Sequence, residues 1–131
     1  MLAGNIAFMI ICSAMVFFMT PGLAFFYGGM VRRKNVVNTI LSSFFICGLA
    51  SAMWIAFGYS ISFSGDVGGL GIIGNLKNFC LEGVSLQSPD GESIPDALFC
   101  VFQMMFAIIT PALITGSLIG RMKFSKLIMF I

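Results

Sequence analysis

The sequence predicts an all-α membrane protein with three transmembrane helices and the start of a fourth. Composition is the first observation behind this prediction. Of the 131 residues, 59% are hydrophobic and 9% are charged, whereas roughly a quarter of the residues in ordinary soluble domains are charged. A soluble domain this small leaves much of its surface in water, so it could not hide this much apolar surface. A lipid bilayer is therefore the predicted solvent.

The spacing of the charged residues is the second observation, and it locates the helices. No charged residue precedes Arg32, and none lies between Lys34 and Asp66 or between Asp96 and Arg121. Each of these gaps is longer than the ~20 apolar residues that a membrane-spanning helix needs. The sequence therefore predicts spans at about 5–28, 36–62 and 97–119, with a further segment that begins near residue 124.

Prolines and turn residues refine this prediction. Pro21 and Pro111 lie within apolar runs and predict bends, because proline lacks a backbone donor and crowds the preceding turn. The third span is expected to begin near Pro95, because proline is favoured in the first turn of a helix. The long segment between the second and third spans is predicted to be mostly irregular, with one short helix near 76–84 and a turn at 88–91.

Charge predicts the orientation in the membrane. Six of the seven basic residues lie at one end of the predicted helices, and all five acidic residues lie in the loop at the other end. The positive-inside rule assigns the basic side to the cytoplasm. We therefore expect an external N-terminus and cytoplasmic loops at 29–35 and 120–126. The six basic residues are Arg32, Arg33, Lys34, Arg121, Lys123 and Lys126.

A stripe of aromatic residues runs along the third predicted span. Phe99, Phe102, Phe106 and Thr110 follow one another at helical spacing and so share a face, which Gln103 borders. Such a stripe is more often a packing surface than a ligand site. Desolvated aromatic faces also attract cations, and stacked rings can close a narrow pore to water. Both interpretations stay open on the pattern alone.

Several function classes have no support in the sequence. The chain contains no histidine, and no paired carboxylates or nucleophile–base arrangement indicates an enzyme. Its four cysteines lack metal-type spacing, and whether Cys80 pairs with Cys100 is left open. We expect no metal, no cofactor and no nucleic acid. Gly116 and Gly120 form a GxxxG pair, which predicts close contact with another helix.

Three segments together resemble a known family. They are MTPGLAFFYGGMVRRKNV at residues 19–36, FGYS at 57–60 and FQMMFAIITPALITG at 102–116. In this order they are similar to the first three helices of the ammonium transporter (Amt) family. The resemblance covers most of the chain apart from the long loop.

The resemblance implies more than the residues indicate by themselves. It implies that residues 1–131 are the N-terminal part of a single ammonium transporter domain, cut at its C-terminus, within an eleven-helix fold. It further implies ammonium or ammonia transport across the cell membrane, a homotrimer, and a PII-type regulatory protein at the cytoplasmic face. The external N-terminus of the family agrees with the orientation predicted from charge.

The resemblance also implies substrate-binding residues. Phe102 matches the aromatic residue that helps to line the external ammonium recruitment site, and Phe106 matches the outer ring of a paired phenylalanine gate. In the family, ammonium loses its proton there and crosses a mainly apolar path lined by two histidines. This order of events is physically reasonable, because a bare cation in hydrocarbon is very costly.

Two departures from the family pattern limit what the resemblance implies. The partner tryptophan, the site serine, the second gate phenylalanine and both histidines belong to later helices, so this chain alone does not form the path. Gly120 stands before Arg121, where the family commonly has an acid. Two alternatives stay open: an ammonium sensor or transporter-like domain of a signalling protein, and a truncated remnant that transports nothing. Whether the ion or the neutral gas is carried also stays open.

Overall fold

The protein is a small bundle of long helices. The computed structural model describes residues 2–69, 73–87, 94–118 and 120–130. Helix α1 spans Leu2–Met30, α2 Val36–Met53, α3 Tyr59–Phe63, α4 Asp96–Leu118 and α5 Phe124–Phe130. A 3-10 turn at Arg33–Asn35 precedes α2, and a π-helical segment at Trp54–Gly58 joins α2 to α3.

The three predicted spans are confirmed. Ala3–Met30, Arg33–Phe63 and Asp96–Leu118 are long and apolar enough to cross a membrane. The third helix begins directly after Pro95, as predicted, and a further helix begins at Phe124. Pro21 and Pro111 lie inside continuous helices, and the bends predicted there stay predictions. The turn predicted at 88–91 lies outside the described residues.

Small side chains allow the three long helices to contact one another closely. Helices α1, α2 and α4 each contact the other two. A Cβ on Gly116 of α4 would lie 2.2 Å from Cζ of Tyr27 on α1, so only glycine admits the tyrosine ring there. The Tyr27 hydroxyl donates a hydrogen bond of 3.2 Å to the Leu113 carbonyl oxygen. Small residues at contacts and polar links between helices are typical of helix packing in membranes.

The glycine pair on α4 behaves differently from the prediction at one of its two positions. Close contact is confirmed for Gly116 and is wrong for Gly120, whose Cβ would meet none of the described residues within 4 Å. Gly120 has a φ of +76° just beyond the end of α4. Glycine adopts this left-handed conformation without the steric cost of a side chain, and it is the residue that commonly ends helices. Its role here is therefore to end the helix.

The π-helical segment in the second span is a feature that the sequence did not predict. The backbone N–H of Tyr59 bonds to the carbonyl oxygen of Trp54, five residues earlier. A Cβ on Gly58 would lie 3.0 Å from Cε3 of Trp54, so the glycine leaves room for the indole ring. Short π segments often occur at functional sites. This one widens the helix where it faces α4.

The loop between α3 and α4 is anchored on the end of α3 by a serine. The Ser60 hydroxyl donates to the Asn75 carbonyl oxygen at 2.7 Å and accepts from the Asn78 N–H at 3.1 Å. The short helix predicted near 76–84 is wrong in length, since only a 3-10 turn at Phe79–Leu81 forms. Cys80 within this turn has a φ of +55°, which a regular helix does not accommodate.

The cysteines do not form a disulfide in the described part of the chain. All four are free thiols, with Cys80 exposed in the 3-10 turn and Cys100 buried in α4. The indole N–H of Trp54 is buried without a conventional acceptor and lies against the Cys100 thiol. Cys100 therefore packs against the π-helical segment.

Candidate functional site

The two predicted site residues are neighbours on α4. The rings of Phe102 and Phe106 have centroids 5.2 Å apart and planes inclined at 74°, which is an edge-to-face contact. Because they are four residues apart on one helix, their side chains lie one above the other on the same face. Phe102 is half-buried, whereas Phe106 keeps 43% of its surface exposed.

The face of α4 opposite Phe106 explains why the Phe106 side chain points away from the bundle. Ile108, Ala112 and Thr115 follow one another at helical spacing and are 1–2% exposed. They fix that side of α4 against the rest of the bundle. The rotation of the helix then leaves Phe106 and Thr110 on a face that the described residues do not cover. The uncovered face continues the stripe from Phe102 towards the C-terminal end of α4.

Phe99, the first residue of the predicted stripe, has a different environment. The rings of Phe99 and Phe63 have centroids 5.1 Å apart, in an edge-to-face contact. Phe63 also contacts Trp54 and Tyr59, with centroids 6.3 Å and 5.4 Å from its own. Phe99 is therefore part of an aromatic cluster at the C-terminal end of α3. The packing interpretation of the stripe is thus supported at Phe99. For Phe106, both interpretations stay open.

A groove lies between the π-helical segment and the C-terminal half of α4. It has a volume of about 500 Å³. Thr110 and Pro111 line one side of it, and Trp54, Phe57 and Gly58 line the other. Pro111 has no N–H, so the Ala107 carbonyl in the groove wall lacks its usual helical donor. The sequence did not predict this groove, because it did not predict the π-helical segment that shapes it.

None of the residues that line the groove is charged. The Thr110 hydroxyl donates to the Phe106 carbonyl oxygen at 2.9 Å. Among the described residues, no group of three His, Cys, Asp or Glu side chains is placed to hold a metal ion. The negative faces of the aromatic rings can attract a cation, and this attraction strengthens as water is removed.

Comparison with known proteins identifies what the chain is similar to. A sequence profile described as the Ammonium Transporter Family matches residues 7–131. An ammonium transporter of Bacillus subtilis is 43% identical over 128 residues, which cover 97% of this chain and 31% of that protein. An ammonium transporter of Aquifex aeolicus is 46% identical over 129 residues, which cover 97% of this chain and 30% of that protein.

Solved structures agree with the sequence comparison. The crystal structure of Saccharomyces cerevisiae Mep2 has a TM-score of 0.78 at 32% identity, covering 96% of this chain and 29% of that one. That of Candida albicans Mep2 has a TM-score of 0.77 at 30% identity, covering 96% and 27%. The chain thus spans about a third of the length of the curated relatives it matches.

Proposed function

Because the chain belongs to the Ammonium Transporter Family, we propose that it forms the N-terminal part of a single transporter domain that carries ammonium or ammonia across the cell membrane. The observation that supports this function best is the pair of rings at Phe102 and Phe106, four residues apart on α4, with Phe106 on the uncovered face. The proposed role is transport without a catalysed reaction.

In this proposal the two rings have successive roles. Phe102 lies nearer the outer end of α4 and helps to bind the ammonium cation through its aromatic face, a contact whose strength is about 2 kcal/mol or more when the ion is desolvated. Phe106 lies one turn further in and contributes one side of a hydrophobic gate. A bare cation in hydrocarbon is very costly. The apolar surface beyond the gate therefore favours passage of neutral ammonia after the proton is lost.

The orientation, assembly and regulation are part of the same proposal. We place the N-terminus outside the cell and the loops at 29–35 and 120–126 in the cytoplasm, because all six basic residues of the bundle ends lie there. The full-length protein is proposed to be a homotrimer and to bind a PII-type regulatory protein at its cytoplasmic face. The residues that complete the path are proposed to lie on later helices.

Uptake of labelled methylammonium by cells that express the full-length protein tests this function. We expect saturable uptake that ammonium inhibits by competition. Phe102→Ala is expected to raise the methylammonium concentration needed for half-maximal uptake, because one aromatic face of the recruitment site is lost. Phe25→Ala is a matched control, because it removes the same side chain from an exposed position of α1.

Two results would contradict the proposal. Uptake that ammonium does not inhibit would exclude a shared path. Tight binding of ammonium without any uptake, measured on the same purified protein, would instead favour an ammonium sensor.

A further inference from the structure

Two contacts from the second span hold the N-terminal half of α4, which carries Phe102. The ring of Phe99 packs edge-to-face against Phe63, with centroids 5.1 Å apart. The thiol of Cys100 lies against the indole N–H of Trp54. Among the residues of α4 before Ile108, only Cys100 is buried. These two contacts are therefore the ones that fix this half of the helix.

The positions of the two contacts around α4 determine the direction of the Phe102 ring. Successive residues of a helix are about 100° apart, so Cys100 lies almost opposite Phe102, and Phe99 lies about 60° from it. Contacts at two such positions resist a turn of the helix about its axis. A turn of about 20° would move a ring that lies about 5–6 Å from the axis by about 2 Å. Because a cation is attracted to a ring only within about 6 Å, this movement would weaken the contact.

The indole of Trp54 takes part in both contacts and is itself fixed by the π-helical segment. Its ring centroid lies 6.3 Å from that of Phe63 and 6.2 Å from that of Tyr59, both in edge-to-face contact. A Cβ on Gly58 would lie 3.0 Å from Cε3 of the indole, so the ring fills the space that the glycine leaves. The orientation of the indole is therefore set within its own span, and α4 packs against it.

The polar atom of the indole indicates that its orientation matters as well as its volume. Nε1 of Trp54 is buried and makes no conventional hydrogen bond with the described residues. A buried indole N–H usually has a partner, and the thiol beside it is a weak acceptor. A phenylalanine ring would fill most of the same space without a buried donor. The N–H and the Cys100 thiol together therefore favour one orientation of the indole against α4.

We propose that Trp54 is a positioning residue for the pair of rings at Phe102 and Phe106. Its contacts with Cys100 and Phe63 set the rotation of α4, and so the direction in which the two rings face a cation. Trp54 acts through α4 and not by contact with the ion. The inference rests on the proposed transport function, because only then does the direction of the rings affect a substrate.

Uptake of labelled methylammonium by the full-length protein measures the effect on the substrate. Trp54→Phe is expected to raise the concentration for half-maximal uptake about three- to tenfold, with the maximal rate within about twofold of the wild type. Cys100→Ala should act similarly, and Cys100→Ser, which keeps an acceptor, should restore most of the affinity. Because Trp54→Phe and Cys100→Ala remove the same contact, their effects should not add. Cys12→Ala is the matched control, because it removes a half-buried thiol from α1.

A second measurement follows the position of the Phe102 site without transport. In purified full-length protein that carries Cys80→Ser, which removes the exposed thiol, Phe102→Cys introduces a thiol at the site. Its reaction with a charged methanethiosulfonate reagent is followed by mass spectrometry of the peptide that contains residue 102. Addition of Trp54→Phe is expected to change the reaction rate at least about threefold, because thiol reactivity depends on exposure. Addition of Cys12→Ala should leave the rate unchanged.

The two measurements distinguish failure of the positioning role from failure of the transport function. A wild type without ammonium-inhibited uptake would contradict transport, and the reaction rate at residue 102 would still test the positioning. Unchanged affinity and an unchanged reaction rate in Trp54→Phe would overturn the positioning role while transport stands. A lower maximal rate at unchanged half-maximal concentration, with a lower unfolding midpoint, would also overturn it, because Trp54 would then contribute stability alone.

Discussion

The two faces of α4 differ in a way that separates stability from function. On one face, Ile108, Ala112 and Thr115 are buried almost completely against the bundle. On the other, Phe106 and Thr110 follow the same spacing and stay exposed. Both faces are equally compatible with a helix, so propensity does not distinguish them. The buried face holds the helix in place, and the exposed face presents the aromatic pair to the space beside it.

Removal of a large side chain from each face of α4 should give the largest difference in the free energy of unfolding. Ile108→Ala is expected to lower the free energy of unfolding by about 2–5 kcal/mol, because it leaves a cavity in a closely packed contact. Leu113→Ala removes a side chain of similar size that is 52% exposed, and it should cost less than half as much. Thermal and denaturant unfolding of the full-length protein in detergent measures both. A negligible loss for Ile108→Ala would contradict the packing described here.

Substitution at the contact between α1 and α4 should give the next largest loss of stability. Gly116→Ala is expected to cost about 1–3 kcal/mol, because the new methyl group would force the Tyr27 ring away and break its hydrogen bond to Leu113. Gly22→Ala is the control, since a Cβ on Gly22 would lie more than 4 Å from any described neighbour. In a double-mutant cycle, Tyr27→Ala should relieve most of the cost of Gly116→Ala. Strictly additive losses would show that the ring and the glycine are not in contact.

Matched threonine substitutions on the two faces should give the smallest difference in stability. Thr115 and Thr110 both donate to a carbonyl oxygen of their own helix, at 2.6 Å and 2.9 Å, but only Thr115 is buried. Thr115→Val should lower stability by about 0.6 kcal/mol, which is typical of a hydrogen bond within a membrane protein. Thr110→Val should change stability less. Equal losses at the two positions would argue that the exposed face is covered in the folded protein.

The sequence was sufficient to locate the long helices because charge is excluded from the hydrocarbon core. The gaps between Lys34 and Asp66 and between Asp96 and Arg121 correspond to the two helices observed there. The sharing of one face by Phe102 and Phe106 also followed from spacing alone, since it depends only on the helical repeat. These features are local, and local features can be read from one sequence.

Features that depend on contacts between helices were not predictable. The π-helical segment exists where Trp54 packs beside Gly58, Tyr59 and Cys100, and no pattern along α2 indicates that arrangement. Gly116 and Gly120 look alike in the sequence, yet one receives a tyrosine ring and the other ends the helix with a φ of +76°. The roles of Phe102 and Phe106 stay predictions, because spacing does not distinguish a gate from a packing surface.

Methylammonium uptake by a Phe106→Ala variant of the full-length protein tests most directly whether the exposed face of α4 borders the transport path. Phe18→Ala is its control, because Phe18 is a phenylalanine on α1 that is 78% exposed. We predict that Phe106→Ala changes the uptake rate or its inhibition by ammonium at least several-fold while the unfolding midpoint stays near that of the wild type. Phe18→Ala should leave both unchanged. Uptake and ammonium inhibition that are the same in Phe106→Ala as in the wild type would contradict this role.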